Sequence, residues 1–187
     1  MLFRSIRHFQ DIYHLMRDVL KMSNQEMHET FASWNNSELN SYLIEITADI
    51  LSKKDENGVY YVDQILDAAG QKGTGKWTVN SALDEGVPLT LIGEAVFARS
   101  LSAMKDERIE ASKAYPKILE PFKGDKQVFL DKLKQALYAA KIVSYAQGFS
   151  LMKKAAKAYE WNLDYGNIAL LWRGGCIIRS AFLGKIK

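Results

Sequence analysis

Apolar residues recur at spacings of three and four along most of the chain, the period of amphipathic helices. The stretch 11–22 places Ile12, Leu15, Met16, Val19 and Leu20 on one face. Ser23 and Glu26 then have the spacing of a capping box, which restarts a helix running to about Trp34. Asn36 and Ser37 are candidate N-caps for a helix over 38–51, with Leu39, Leu43, Ile46 and Ile50 as its apolar line. The residues 55–58 read as a turn, followed by a short amphipathic piece. A glycine-rich loop comes next, then a helix from about Trp77 to Asp84. Gly86-Val87-Pro88 breaks the chain, and Pro88 suits the first turn of a helix reaching Arg99 or beyond. The run 100–112 also has helical character. Pro116 and Pro121, with Gly124, mark a surface connection. Asp125 caps the longest periodic stretch, to about Glu160, with Phe129, Leu133, Leu137, Ala140 and Leu151 as its expected buried line. Asn162 is the expected cap of a further helix, and Gly174-Gly175 separates it from a last one. No alternation of period two stands out, and no repeat. The expected class is all-α.

Composition changes this picture little. With 187 residues, 48% hydrophobic and 25% charged, the chain can bury a proper core as one domain or a large piece of one. The net charge of +3 is mild and the basic residues are dispersed, which argues against nucleic acid as a partner. No apolar run approaches the roughly 18 residues that suggest a membrane span. The single cysteine, Cys176, cannot form an internal disulfide and agrees with a reducing, cytoplasmic setting. Residues 1–10 carry arginine and serine without an acid and read as an atypical leader.

The chemistry concentrates in Gly70-Gln71-Lys72-Gly73-Thr74-Gly75-Lys76-Trp77-Thr78. Glycine permits positive φ and exposes backbone N–H groups, while lysine adds a cation and threonine a hydroxyl. A phosphate or carboxylate needs these groups. An ordinary surface turn is the other reading of the same composition. Two nucleotide motifs fail here. The P-loop pattern is followed by Trp77 where Ser or Thr must hold Mg²⁺, and the preceding stretch is helical rather than a buried strand. The dinucleotide pattern Gly-x-Gly-x-x-Gly ends on Thr78.

Other constellations read as structural. His8, His14 and His28 lack the spacing of a metal site, so no metal is expected. Cys176 has no histidine in its stretch, and the four tryptophans suit interhelical packing. Glu45 and Asp49 read as an exposed acidic face. Glu94 and Arg99 lie on different faces of their helix.

Several stretches, in order, resemble one family. They are Trp34-Asn35 with 38–39 and 43–47, the loop 70–78, the run 86–99 ending in Arg99, Ser144-Tyr145-Ala146-Gln147-Gly148-Phe149, and 171–179. They are similar to the all-helical C-terminal domain of decarboxylating 6-phosphogluconate dehydrogenase. The resemblance runs from about Tyr13 to the C-terminus, so residues 11–187 are expected to be part of that domain and residues 1–10 to stand outside it. It implies the NADP-dependent oxidation and decarboxylation of 6-phosphogluconate to ribulose 5-phosphate, within the pentose phosphate pathway. It also implies that Lys72, Thr74 and Arg99 bind the substrate's phosphate, and that the partner is a second copy or a full-length subunit. The family's NADP-binding Rossmann domain, its general-base lysine and its general-acid glutamate have no counterpart in these residues. The expectation is a domain truncated at both ends, without catalytic residues of its own and inactive alone. A non-catalytic sugar-phosphate-binding or dimerisation module is the alternative. Truncation further implies that Ile177, Ile178, Phe182 and Leu183 are exposed.

Overall fold

The structure, a computed structural model, describes residues 2–70, 72–115, 120 and 122–187. Nine α-helices occur among the described residues. They are α1 (Leu2–His14), α2 (Asn24–Asn35), α3 (Tyr42–Ser52), the short α4 (Tyr61–Gln64), α5 (Thr74–Asp84), α6 (Thr90–Ala103), α7 (Lys105–Ala114), α8 (Lys126–Ala158) and α9 (Tyr165–Leu171). A π-turn, Leu15–Val19, continues α1, and a 3₁₀ turn, Ala181–Lys185, follows α9. The only β pairing among the described residues is two isolated bridges, Ser41 with Ser180 and Lys54 with Tyr60. The class is all-α.

The main core gathers α1 with its π-turn, α2, α3 and the first half of α8. Met16, Met27 and Phe31 are fully enclosed there. Phe31 meets Trp34 edge-on at 5.4 Å between centroids, and Phe9 at 6.1 Å. The second half of α8 packs with α9 and the chain end around Tyr145, Ala169, Ile178 and Leu183. A third cluster, Ala82, Leu89 and Ile92, joins α5 to α6. No helix of the described residues is long and apolar enough to cross a membrane.

The capping box forms as its spacing implies. The Ser23 N–H donates to Glu26 Oε2 at 2.7 Å, and the Glu26 N–H donates to Ser23 Oγ at 3.2 Å. Lys126, in the first turn of α8, donates to the other carboxylate oxygen at 2.6 Å. The Lys126 bond, then those from Ser23, pull the Glu26 carboxyl from 4.5 down to about 2. Because the folded state favours the ionised form, this contribution is complete above pH about 4.5 and disappears as pH falls through about 2. The stability difference between the native chain and a Glu26→Gln variant is therefore expected to shrink across that window in denaturant titrations. A constant gap would contradict the linkage.

Several boundaries differ from the sequence reading. Helix α1 begins at Leu2, earlier than the periodic stretch read from residue 11. Helix α3 begins at Tyr42, and neither Asn36 nor Ser37 caps it. Asn36 ends α2 instead, and the Ser37 hydroxyl donates to Trp34 O at 2.6 Å. The segment between is drawn out by the chain end, where the Tyr42 N–H bonds Arg179 O at 3.0 Å and the Ala181 N–H bonds Asn40 O at 3.1 Å. The buried face of α3 is Leu43, Ile44, Ala48 and Leu51, while Ile50 is 44% exposed. Helix α5 starts at Thr74, earlier than Trp77, and the run 100–112 is broken at Met104.

Helix α8 buries Leu130, Leu133, Leu137, Ser144 and Tyr145, leaving Phe129, Ala140 and Leu151 half-buried. Asp164, not Asn162, caps α9 by accepting the Asn167 N–H at 3.0 Å. Of the four residues expected to be exposed by truncation, Ile177 is exposed, but Ile178 and Leu183 are buried and Phe182 is half-buried. The chain end folds back on α8 and covers them. Pro116 and Pro121 lie outside the described residues.

Candidate anion-binding site

The glycine-rich loop joins α4 to α5, and its two halves are built differently. The first half is fastened to the end of α6 and the start of α7. The Ala69 N–H donates to Ser102 Oγ at 3.2 Å. Asp67 pairs with Lys105 and, at 3.2 Å, with Arg108. Arg108 Nη2 also donates to the carbonyls of Asp67 at 2.6 Å and Ser102 at 3.0 Å. The hydrogen bond from Lys105, then that from Arg108, lowers the Asp67 carboxyl to about 2. Arg99 completes the fastening. Its Nε and Nη2 converge on Gly70 O at 3.0 and 2.6 Å.

The second half turns and becomes a helix. Gly73 has φ of 97°, a conformation that a side chain disfavours, and it occupies the N-cap position of α5. No side chain among the described residues caps that end. The first N–H to bond back is that of Trp77, onto Gly73 O at 2.9 Å. Among the described residues the positive end of the helix therefore has no side-chain acceptor, which is the ordinary basis of anion binding at a helix start. Thr78 has no part in this, since its hydroxyl donates back to Thr74 O at 2.8 Å.

Of the three residues singled out from the sequence, Lys72 and Thr74 belong to the loop stretch itself, and Arg99 bonds its Gly70 carbonyl. Arg99 reaches it from α6, Lys72 lies just past the carbonyl that Arg99 holds, and Thr74 opens α5. Lys72 and Thr74 are exposed and Arg99 is half-buried. Gln71 lies outside the described residues. Sequence reasoning did not find Asp67, Ser102, Lys105 and Arg108 as the loop's supports. Nothing local signals them, because Asp67 and its two cations are about forty residues apart in the chain.

Elsewhere, Glu45 is more than part of an acidic face, for it accepts from Arg179 at 2.5 Å. The three histidines make separate local contacts: His28 with Ala48 O, His14 with Asp18 and Arg17, His8 beside Ser144. Among the described residues no group of three or more His, Cys, Asp or Glu side chains is placed to hold a metal ion.

Comparison with known proteins matches the chain to one family. The model of the 6-phosphogluconate dehydrogenase C-terminal domain matches residues 3–187. The decarboxylating 6-phosphogluconate dehydrogenases of Ovis aries and Homo sapiens are each 60% identical, over 179 and 181 residues. Each match covers 95% of this chain and 37% of the relative, so the chain spans a little over a third of their length. Plasmodium falciparum 6-phosphogluconate dehydrogenase, with structures in apo form, with its cofactor NADP⁺ and with its substrate 6-phosphogluconate, superposes with a TM-score of 0.94 at 44% identity. That superposition covers 98% of this chain and 40% of the other.

Proposed function

The chain belongs to the 6-phosphogluconate dehydrogenase family, by its C-terminal domain, and on that premise we propose that its glycine-rich loop grips the phosphate of 6-phosphogluconate. The observation that carries this reading is the pairing of an uncapped helix start with an arginine fastened to the loop. Arg99 occupies a carbonyl whose negative end would otherwise repel an anion at the loop mouth. Lys72 adds a mobile charge, and Thr74 a hydroxyl donor beside the first amides of α5. Guanidinium and ammonium groups suit phosphate differently, one by its planar fork and the other as a point charge.

The whole protein's reaction is, in this reading, that named for its relatives: NADP-dependent oxidation and decarboxylation of 6-phosphogluconate in the cytoplasm, within the pentose phosphate pathway. The described residues do not fit an NADP site, since they contain no βαβ unit and the loop is not fed by a strand. The chain's own part is to bind and orient the sugar phosphate, which lowers a barrier by fixing the reacting end in place. A homodimer, or a pair with a full-length subunit, is favoured by the apolar surface of α5 and α6, where Leu83, Phe97 and Leu101 are 74%, 67% and 57% exposed.

Incubating the purified 187-residue chain with 6-phosphogluconate and NADP⁺ tests the division of labour. No NADPH is expected by absorbance or fluorescence, whether the chain is a piece of the enzyme or a non-catalytic binding module. Measurable turnover would overturn the assignment of the redox chemistry to other parts of the protein.

A further inference from the structure

A second polar site lies away from the loop, where α8 crosses α1 and α3. Lys141 projects from α8 on the same face as Leu137 and Tyr145, one turn from each. Its Nζ is fully buried and has no hydrogen-bond partner among the described residues. The ammonium borders a cavity of about 30 Å³ whose polar lining is His8, Ser41, Lys141, Tyr145 and Arg179, with apolar side chains between them. Three of these five are basic, and no carboxylate lines the cavity among the described residues.

The neighbouring groups are already engaged. Ser41 Oγ donates to Leu39 O at 3.0 Å, and Tyr145 donates its phenol proton to Ile178 O at 2.9 Å. Burial, with the thiol of Cys176 nearby, pushes the Tyr145 phenol up, so it supplies no negative charge. Arg179 is turned to Glu45 at 2.5 Å. Ser144, beside His8, donates to Ala140 O at 2.7 Å. Lys141 is the charge left over.

An enclosed ammonium must lose its proton, take up water, or take up an anion, because an uncompensated ion in an apolar site is costly. Burial alone lowers the Lys141 amine from 10.5 to about 8, so the cation still predominates at neutral pH. The penalty for charging it exists below pH about 8 and is relieved as pH rises from there toward 10.5. A cavity of about 30 Å³ has room for roughly two waters, or for an anion of that size. A divalent sulfate or phosphate would bring a second negative charge to a site with one unpartnered cation, and a sugar acid exceeds the space of about two waters.

We infer that this cavity is a binding site for one compact monovalent anion, a halide or a carboxylate of formate size, seated on Lys141. The site is independent of the sugar-phosphate loop: none of its lining residues belongs to that loop.

Lysine labelled with ¹³C in the full chain gives the direct test by NMR. The Lys141 resonance is to be titrated in sodium formate, in sodium chloride and in sodium sulfate at equal ionic strength. The expected result is a midpoint near 8 in sulfate and a rise of about one unit or more in formate or chloride, as an opposite charge at close range produces. The arm that moves the midpoint identifies the anion. The same midpoint in all three salts overturns the site and leaves the ammonium solvated by water. Thermal unfolding adds a second reading, in which a saturable rise in Tm with formate or chloride is lost in Lys141→Met. Should that variant fail to fold, the titration of the unaltered chain decides.

Discussion

Arg99→Ala is expected to weaken 6-phosphogluconate binding by roughly 100-fold, the largest single effect at the loop. The variant loses a two-pronged hold on Gly70 O, with bonds of 3.0 and 2.6 Å from a charged donor. A charge-assisted interaction with the phosphate that is lost with the side chain is worth about 1.5–3 kcal/mol, and about 2.7 kcal/mol corresponds to 100-fold in affinity. Two effects combine. The carbonyl at the loop mouth is freed to face the anion, and a positive charge beside the phosphate is removed. Arg99→Lys separates them, since it keeps the charge but cannot reproduce the planar fork. Isothermal titration calorimetry should place the lysine variant between the native chain and the alanine variant. Folding should be little altered, because the core clusters do not include Arg99. Equal affinity in all three proteins would remove Arg99 from the site.

Phe31→Ala is expected to cost about 3–5 kcal/mol of stability, as for other buried aromatic truncations. Phe31 is 0% exposed and sits where α1, α2 and α3 converge, against Phe9 and Trp34. Neighbours held by helices on several sides can collapse only partly into the space left. For a chain of this size the loss corresponds to a Tm lower by roughly 6–20 °C, to be read by calorimetry or circular dichroism. A fall of less than about 2 °C would mean that the core relaxes around the missing ring, contrary to its enclosure by α1, α2 and α3.

How far the fold could be read in advance follows from the range of each interaction. The Ser23–Glu26 box and the Asp125 cap act within four residues, and both form where the spacing places them. The start of α3 was hidden because its cause lies about 140 residues away, in the pairing of Asn40 and Tyr42 with Arg179 and Ala181. The buried line of α8 moved for a related reason. Its 33 residues serve one core with Leu130 and Leu133 and another with Tyr145, so one apolar line does not describe both halves.

The loop divides in the same way. Its glycines, lysines and threonines announce a turn fit for an anion, and Gly73 adopts the positive φ that only glycine takes readily. Arg99 entered through family resemblance, and its contact with Gly70 joins α6 to the loop across 29 residues. The supports at Asp67, Lys105 and Arg108 carry no local signature. Ion pairs across such separations become visible only once the helices are placed.

A ³¹P NMR titration of 6-phosphogluconate with the chain addresses the phosphate grip most directly. The phosphorus resonance is expected to shift and broaden saturably with the native protein. The effect should diminish with Lys72→Ala and nearly vanish with Arg99→Ala, and gluconate without its phosphate should not compete. An unmoved resonance at protein concentrations in excess of the ligand, or the same shift with all three proteins, would contradict the assignment of the loop to the phosphate.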